Sequence, residues 1–350
     1  MASFKEILKI QKTFQKRHVQ NNKLFFEDYY IPKLVKTLLL LIVNILSPII
    51  CIIRKIGSKR VRLNKPKYNF SVCAIFKNEE LSLKQWIEYH LQIGVEHFYL
   101  YNNNSTDNFN EILKPYIENS IVTLVDWPMT RAQQMPAYKD CYDQFKDETR
   151  WIAYIDLDEY ITPFYETDIK KWISKFQNYP SVYIYWKMFG TSGVIHHDVN
   201  KLILEQYISC WENYYVMGKS IINTDYDVYK FDIKYTHTLF GSVNLFGYKI
   251  PIPPINEFNK YVFLEIHRTG LFSKKFTIQL NHYYSKSFYE YMDKKRARGD
   301  VAFEGEIAKQ LKSDEVFYYF QNQCISTDYK IFRFINELKL RMGFIKENGK

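Results

Sequence analysis

Eleven residues constrain the fold of this chain more than any others: Trp151-Ile152-Ala153-Tyr154-Ile155-Asp156-Leu157-Asp158-Glu159-Tyr160-Ile161. Five apolar residues run without a polar interruption into three carboxylates within four positions. A run that does not alternate reads as a strand buried on both faces, as in a parallel sheet covered by helices. The carboxylates then stand at the strand's carboxyl end, where open α/β sheets bind ligands. On a regular strand Asp156 and Asp158, two apart, share a face. Like charges that close repel unless a cation lies between them. Hard oxygen ligands suit Mn2+ or Mg2+, and such ions commonly accompany a phosphate-bearing substrate. A bare D-x-D is also what a strand running into an acidic turn looks like, so the rest of the chain must decide.

The sequence before this stretch alternates strand and helix signals. Residues 70–76 form an apolar strand, and Leu83, Trp86, Ile87, His90 and Leu91 follow at helical spacing. A second strand over 95–101 runs into Asn102-Asn103-Asn104-Ser105-Thr106-Asp107. A short helix over 109–117, a strand over 121–127 and a helix over 130–147 lead to the central stretch. Four such steps in under 100 residues predict an α/β domain with a mostly parallel sheet and helices on both faces. Past Pro163 the pattern loosens into a helix near 168–178, an aromatic strand over 182–189, short strands and turns, then helices near 287–298, 306–322 and 328–342. The expected organisation is a basic, apolar segment over 1–65, one domain over 66–305, and a helical extension over 306–350.

Charge is unevenly placed. Of the formal +10, residues 1–65 hold fourteen Lys and Arg against Glu6, Glu27 and Asp28, while the remainder is close to neutral. The basic excess is therefore not a nucleic-acid groove in the main domain, and no nucleic-acid motif accompanies it. Residues 1–19 read as an amphipathic helix, and 38–53 form an uncharged aliphatic run of sixteen residues. That is short of the roughly 20 a spanning helix needs. Basic flanks beside a short apolar run predict a peripheral or monotopic anchor on an anionic membrane surface, on its cytoplasmic face. Five scattered cysteines with no C-x-x-C pair predict reduced thiols and a cytosolic setting.

Several weaker signals fall at the same sheet edge. Lys77, Asn78 and Glu79 close the first strand and could bond a base or ribose, although Asn and Glu there also suit a helix start. Asn102, Asn103 and Asp107 close the second. His282 follows a late strand, with Lys286, Lys294 and Arg298 behind it. A neutral His can bind a metal, and nearby cations can hold a diphosphate. Taken in order, K-N-E-E, E-Y-H-x-x-x-G-V-x-H-F (Glu88 to Phe98), N-N-N-S-T-D-N, W-I-A-Y-I-D-L-D-E-Y-I, W-K-M-F-G-T-S-G (Trp186 to Gly193) and N-H-Y-Y-S-K-S (Asn281 to Ser287) resemble the family 92 glycosyltransferases and the related bacterial family-2-like enzymes of GT-A fold.

That resemblance covers roughly 70–300. It implies a Rossmann-like nucleotide-sugar-binding sheet and transfer of a sugar, from a UDP-sugar donor, to a hydroxyl of a glycan or lipid-linked acceptor with inversion. It implies Asp156, Asp158 and His282 around Mn2+ or Mg2+, and Asn102, Asn103 and Asp107 near uracil and ribose. Trp186, Phe189, Gly190, Ser192 and Gly193 would line the sugar pocket, and Lys286, Lys294 and Arg298 would neutralise the leaving diphosphate. Inversion needs a general base. Asp198, Glu205 and Glu159 are the candidates, Glu159 also as an orienter of the metal ligands. The competing readings are a catalytically silent glycan- or membrane-binding scaffold and a metal-dependent phosphohydrolase.

Overall fold

The structure is a computed structural model describing residues 33–62, 64–129, 133–215, 217–231, 237–263, 275–297, 309 and 312–345. The helix expected over 1–19, and Arg298, lie outside the described residues. The sheet is built from β1 (Tyr68–Phe76), β2 (His97–Asn102), β3 (Val122–Asp126), β4 (Thr149–Tyr154), β5 (Glu159–Pro163), β6 (Ser181–Met188), β8 (Gly218–Asn223), β12 (Ile255–Asn256) and β13 (Ile278–His282). Its order is β3-β2-β1-β4-β8-β6-β13-β5, with β12 beside β6. β1 runs parallel to both neighbours, with Cys73 opposite Tyr99 and Tyr154. β8 is antiparallel to β4 and β6, and β5 is antiparallel to β13. This is the α/β domain with a mostly parallel sheet expected from the sequence.

Helices cover both faces because β1 alternates between two cores. Phe70, Val72, Ala74 and Phe76 pack with Leu83, Trp86 and Ile87 of α2 (Glu80–Gln92). Cys73 packs on the other side with Met135, Tyr138 and Cys141 of α4 (Gln134–Phe145). In sequence between them, α3 (Phe109–Glu118) puts Phe109, Leu113 and Tyr116 into the first of these cores. α1 (Lys33–Ile56) precedes the sheet and contains the apolar run. α5 (Ile169–Ile173) and α6 (Ile203–Gln206) are short. β9 (Asp227–Val228), β10 (Gly241–Leu245) and β11 (Tyr248–Ile252) form a small antiparallel sheet. β7 (Ser209–Cys210) pairs with β14 (Ser326–Thr327). Near the C-terminus, α8 (Asp314–Asn322) and α9 (Ile335–Met342) put Phe320, Ile335 and Leu338 into the core that also holds Trp86.

The apolar half of Trp151–Ile161 forms β4, with the carboxylates at its carboxyl end as expected. β4 ends at Tyr154, the chain turns through 155–158, and Glu159 opens β5, which lies at the far edge of the sheet. Asp156 and Asp158 therefore sit in a turn, closed by Glu159 N–H donating to Asp156 O at 3.0 Å, and the strand alternation does not apply to them. The basic flank after α1 is largely used by the domain itself. Arg54 donates to Asn178 O at 2.6 Å, and Arg60 and Arg62 pair with Asp147 and Asp225.

β6 and β8 approach so closely that Gly218 has no room for a side chain. A Cβ there would lie 1.8 Å from Ile184 O, a backbone atom that cannot swing aside. Gly218→Ala is expected to cost about 3 kcal/mol as the two strands are forced apart. Urea unfolding of the variant measures this. Unchanged stability would contradict the close approach.

Candidate active site

The site forms where β4, β5, β6, β8 and β13 end or begin. Pairing of β13 with β5 puts His282 opposite Glu159, and pairing with β6 puts it opposite Met188. The 155–158 turn adds Asp158, whose own carbonyl accepts Tyr283 N–H at 2.8 Å. Asp158, Glu159 and His282 each offer a ligand atom, and these atoms lie within 4.8 Å of one another. Sequence order alone separates them by more than 120 residues; the β5–β13 register brings them together.

Each carboxylate has a distinct environment. Asp158 Oδ2 lies 2.6 Å from Lys295 Nζ, and Oδ1 lies 3.5 Å from His282 Nε2. Burial alone would push its pKa up, but Lys295 and His282 outweigh this and hold it well below the usual carboxylate range. Glu159 is fully buried. Its Oε2 accepts Asp156 N–H at 2.9 Å, while Oε1 has no hydrogen-bond partner. Burial pushes the Glu159 carboxyl well up; Lys219 opposes this, and Asp156 and Asp158 add to it. Asp156 is about one-third exposed. Its Oδ1 accepts from Gln134 at 2.7 Å and from Tyr138 at 3.2 Å, one helical turn apart on α4, and its Oδ2 pairs with Lys219 at 2.9 Å.

Around this cluster sit buried polar atoms without partners. His282 Nδ1, His237 Nδ1 and Trp186 Nε1 have none, and burial lowers the pKa of both imidazoles. Trp186 lies between the two rings, 4.6 Å from His282 and 4.9 Å from His237. Orphaned polar atoms are uncommon in folded interiors, and four of those described, Glu159 Oε1 among them, gather here, as expected of a site that binds something. A hard divalent cation fits the donor set: two carboxylates, one of them with an unpaired oxygen, and an imidazole.

The remaining expected residues fall into groups. Lys286 is buried and bonds Glu79 at 3.0 Å and Ser82; Glu79, Glu290 and Asp158 raise its pKa against the cost of burial. Lys294 donates to Asn78 O at 2.9 Å. Lys294 and Lys295 belong to a π-helical segment, Tyr291–Arg296, that continues the short helix α7 (Phe288–Glu290). π-turns recur at functional sites because they redirect side chains. Lys77 is exposed. Asn102 accepts Ser105 N–H, Asn103 donates to Trp127 O and Met129 O, and Asp107 accepts Glu80 N–H, so these side chains shape the turn. Of the aromatic–glycine motif, Trp186 touches His282. Phe189 is buried on Tyr283, Gly190 backs onto Cys324, Ser192 holds the Ile208 and Ser209 amides, and Gly193 takes φ +78° in the turn. Glu205 caps α6 and pairs with Lys339, while Asp198 pairs with Lys201 on a loop.

Sequence reasoning missed Lys219, Gln134 and His237. Lys219 sits in the uncharged-looking stretch Met217-Gly218-Lys219-Ser220-Ile221-Ile222, and a lysine inside a buried strand is the signal that could have found it. Lys295 was visible only as part of a basic run.

A model of glycosyltransferase family 92 matches residues 67–329. A family 92 protein from Ricinus communis is 30% identical over 117 residues, covering 33% of this chain and 20% of the relative. The galactan beta-1,4-galactosyltransferase GALS2 of Arabidopsis thaliana is 28% identical over 111 residues, 28% of this chain and 21% of the relative. The chain thus matches only about a fifth of the length of these curated relatives. Among solved structures, TarS of S. aureus in complex with UDP is 16% identical over 45% of this chain and 47% of that one, with TM-score 0.30. With three-quarters of its length matched by the family model, the chain belongs to glycosyltransferase family 92.

Proposed function

We propose that this protein is a metal-dependent glycosyltransferase. It moves a sugar from a nucleotide-sugar donor, a UDP-sugar first among them, to a hydroxyl of a glycan or lipid-linked glycan, with inversion. The family supports the reaction class. The observation that carries the site is the meeting of Asp158, Glu159 and His282 beside Lys295.

Asp158, Glu159 and His282 would hold Mn2+ or Mg2+, which when bound supplies Lewis-acid stabilisation of charge on the leaving diphosphate. Lys294 and Lys295 would add positive charge on the same side, fixed in place before reaction. Lys286 holds Glu79 at the start of α2 and so sets that wall of the pocket. Trp186 offers an apolar face beside His282, suited to a pyranose ring. Among the candidate bases, Glu159 belongs to the cation cluster and Glu205 is bound to Lys339. Asp198, with a side chain 41% exposed, is the one we assign to accept the acceptor's proton.

The test is a screen of UDP-sugars with Mn2+, reading nucleotide release, with UDP-galactose included because two relatives are named galactan galactosyltransferases. Release with at least one donor is expected, and release without acceptor is expected to survive Asp198→Asn while transfer falls. No release or donor-induced stabilisation with any donor would sink the transferase reading and leave a silent binding module.

A further inference from the structure

Two apolar features on the surface have no part in this chemistry. The first is α1. Leu38, Leu41, Ile45, Ile49, Ile52 and Ile56 recur every three or four residues, and each is between 48% and 67% exposed. That spacing lays them along one side of the helix. The opposite side carries Val43, Ser47, Ile50, Cys51 and Arg54, which are buried or half-buried. Ile50 and Cys51 pack on the main core, and the Arg54 guanidinium is bonded to Asn178 O. The helix is therefore docked by one face and apolar on the other as well. A solvated surface helix would carry polar residues there.

The second feature is the β10–β11 hairpin. At its turn Phe246 is 88% exposed and Tyr248 is 73% exposed, the two most exposed aromatic residues among those described. Phe246 also adopts φ +52°, beside Gly247 at φ +84°. A bulky residue in that region costs about 1 kcal/mol, and an 88% exposed ring gains no packing that would offset it. The two features are joined. Ser58, just past α1, and Asn244 exchange both backbone hydrogen bonds, at 2.8 and 3.1 Å, and Val243 fills the space over Gly57. The aromatic turn is thus fastened to the end of the aliphatic helix.

We propose that the α1 stripe and the Phe246–Tyr248 turn form one docking surface for an anionic lipid bilayer. The helix would lie in the interface and the aromatic turn would seat at headgroup level beside it. Charge selects the bilayer over other occupants. α1 contains no acidic residue, and Lys55 and Lys59 at its end and Lys249 on the hairpin are exposed. A second copy would bring the same positive charge to the contact. Residues 1–32 also carry a basic excess, six Lys and Arg against three acids. An anionic surface attracts such groups, by about 1 kcal/mol per Lys or Arg near it.

This surface is independent of the transferase reading, and its test does not use activity. The full chain is mixed with vesicles of phosphatidylcholine alone, or of phosphatidylcholine with phosphatidylglycerol, and floated. Binding to the anionic vesicles, weakened by salt, is expected. Phe246→Ser with Tyr248→Ser is expected to lower partitioning about ten-fold, since each ring then buries less apolar area. Ile45→Asp with Ile49→Asp is expected to remove binding, with unchanged circular dichroism and melting temperature for both variants. Four results would overturn the proposal. They are no binding to anionic vesicles, binding indifferent to the hairpin variant, binding that appears only after residues 1–32 are deleted, and dimerisation by light scattering that the α1 variant abolishes without any vesicle binding.

Discussion

Asp158→Asn is expected to lower nucleotide release by at least about 10²-fold while leaving the protein folded, the scale seen when one preorganised charge-stabilising group is removed from an active site. Asparagine keeps the shape of the side chain and removes its charge. That charge is strongly maintained in the structure. Burial opposes it, yet Lys295 at 2.6 Å and His282 at 3.5 Å from the carboxylate keep it ionised. Without it a divalent cation loses an anionic ligand, and Lys295 loses the partner that aims it at the pocket. The loss should appear in kcat, with a parallel loss of Mn2+-dependent thermal stabilisation, because both readouts depend on the same carboxylate. Release within a few-fold of wild type would place the chemistry elsewhere. Equal loss from a variant that no longer melts cooperatively would say nothing about the site, so the melting curve is part of the measurement.

The sheet was legible because its strands are short apolar runs separated by helices of regular spacing. β1 to β4, and the helices between them, all follow from that pattern. The acidic cluster was legible as charge at a strand end, but its geometry was not. Nothing local shows that the chain turns away after β4 and that Glu159 re-enters the sheet at its far edge, because apolar Tyr160 and Ile161 resume directly after the carboxylates. Which late strand would pair with β5 depends on long-range contacts. Glu159 was therefore read as a possible orienter, whereas its register opposite His282 makes it part of the cluster. His282 itself was found through its motif. Lys219 was invisible for a different reason: a lysine in an apolar strand is costly to bury, and only the two carboxylates folded over it explain why it is tolerated. The polar turn at Asn102 and Asn103 was read as a base-binding edge; in the structure the Asn103 amide donates to the backbone carbonyls at 127 and 129, while Asn102 accepts Ser105 N–H and donates to Asp126.

Lys219→Met is the second large effect expected. Lys219 is 1% exposed, with its ammonium 2.9 Å from Asp156 and 3.9 Å from Glu159, and the carboxylates raise its pKa despite burial. Methionine fills a similar volume but leaves Asp156 and Glu159 facing each other without the cation between them. Removing one partner of a buried pair typically costs about 3–5 kcal/mol. Asp156 is about one-third exposed, so solvent screens part of the loss and about 3 kcal/mol is the expected figure, read by urea unfolding. Two controls identify the cause. Adding Asp156→Asn to Lys219→Met should recover part of the loss, because it removes the carboxylate charge that Lys219 no longer pairs. Mn2+ should stabilise Lys219→Met more than it stabilises the wild type, since a cation bound by Asp158, Glu159 and His282 would take over the neutralisation that Lys219 provides. A variant as stable as wild type would mean that Lys219 is a spectator. A destabilised variant that neither Asp156→Asn nor Mn2+ relieves would mean that the loss comes from packing, and that the carboxylates do not share their charge with a metal.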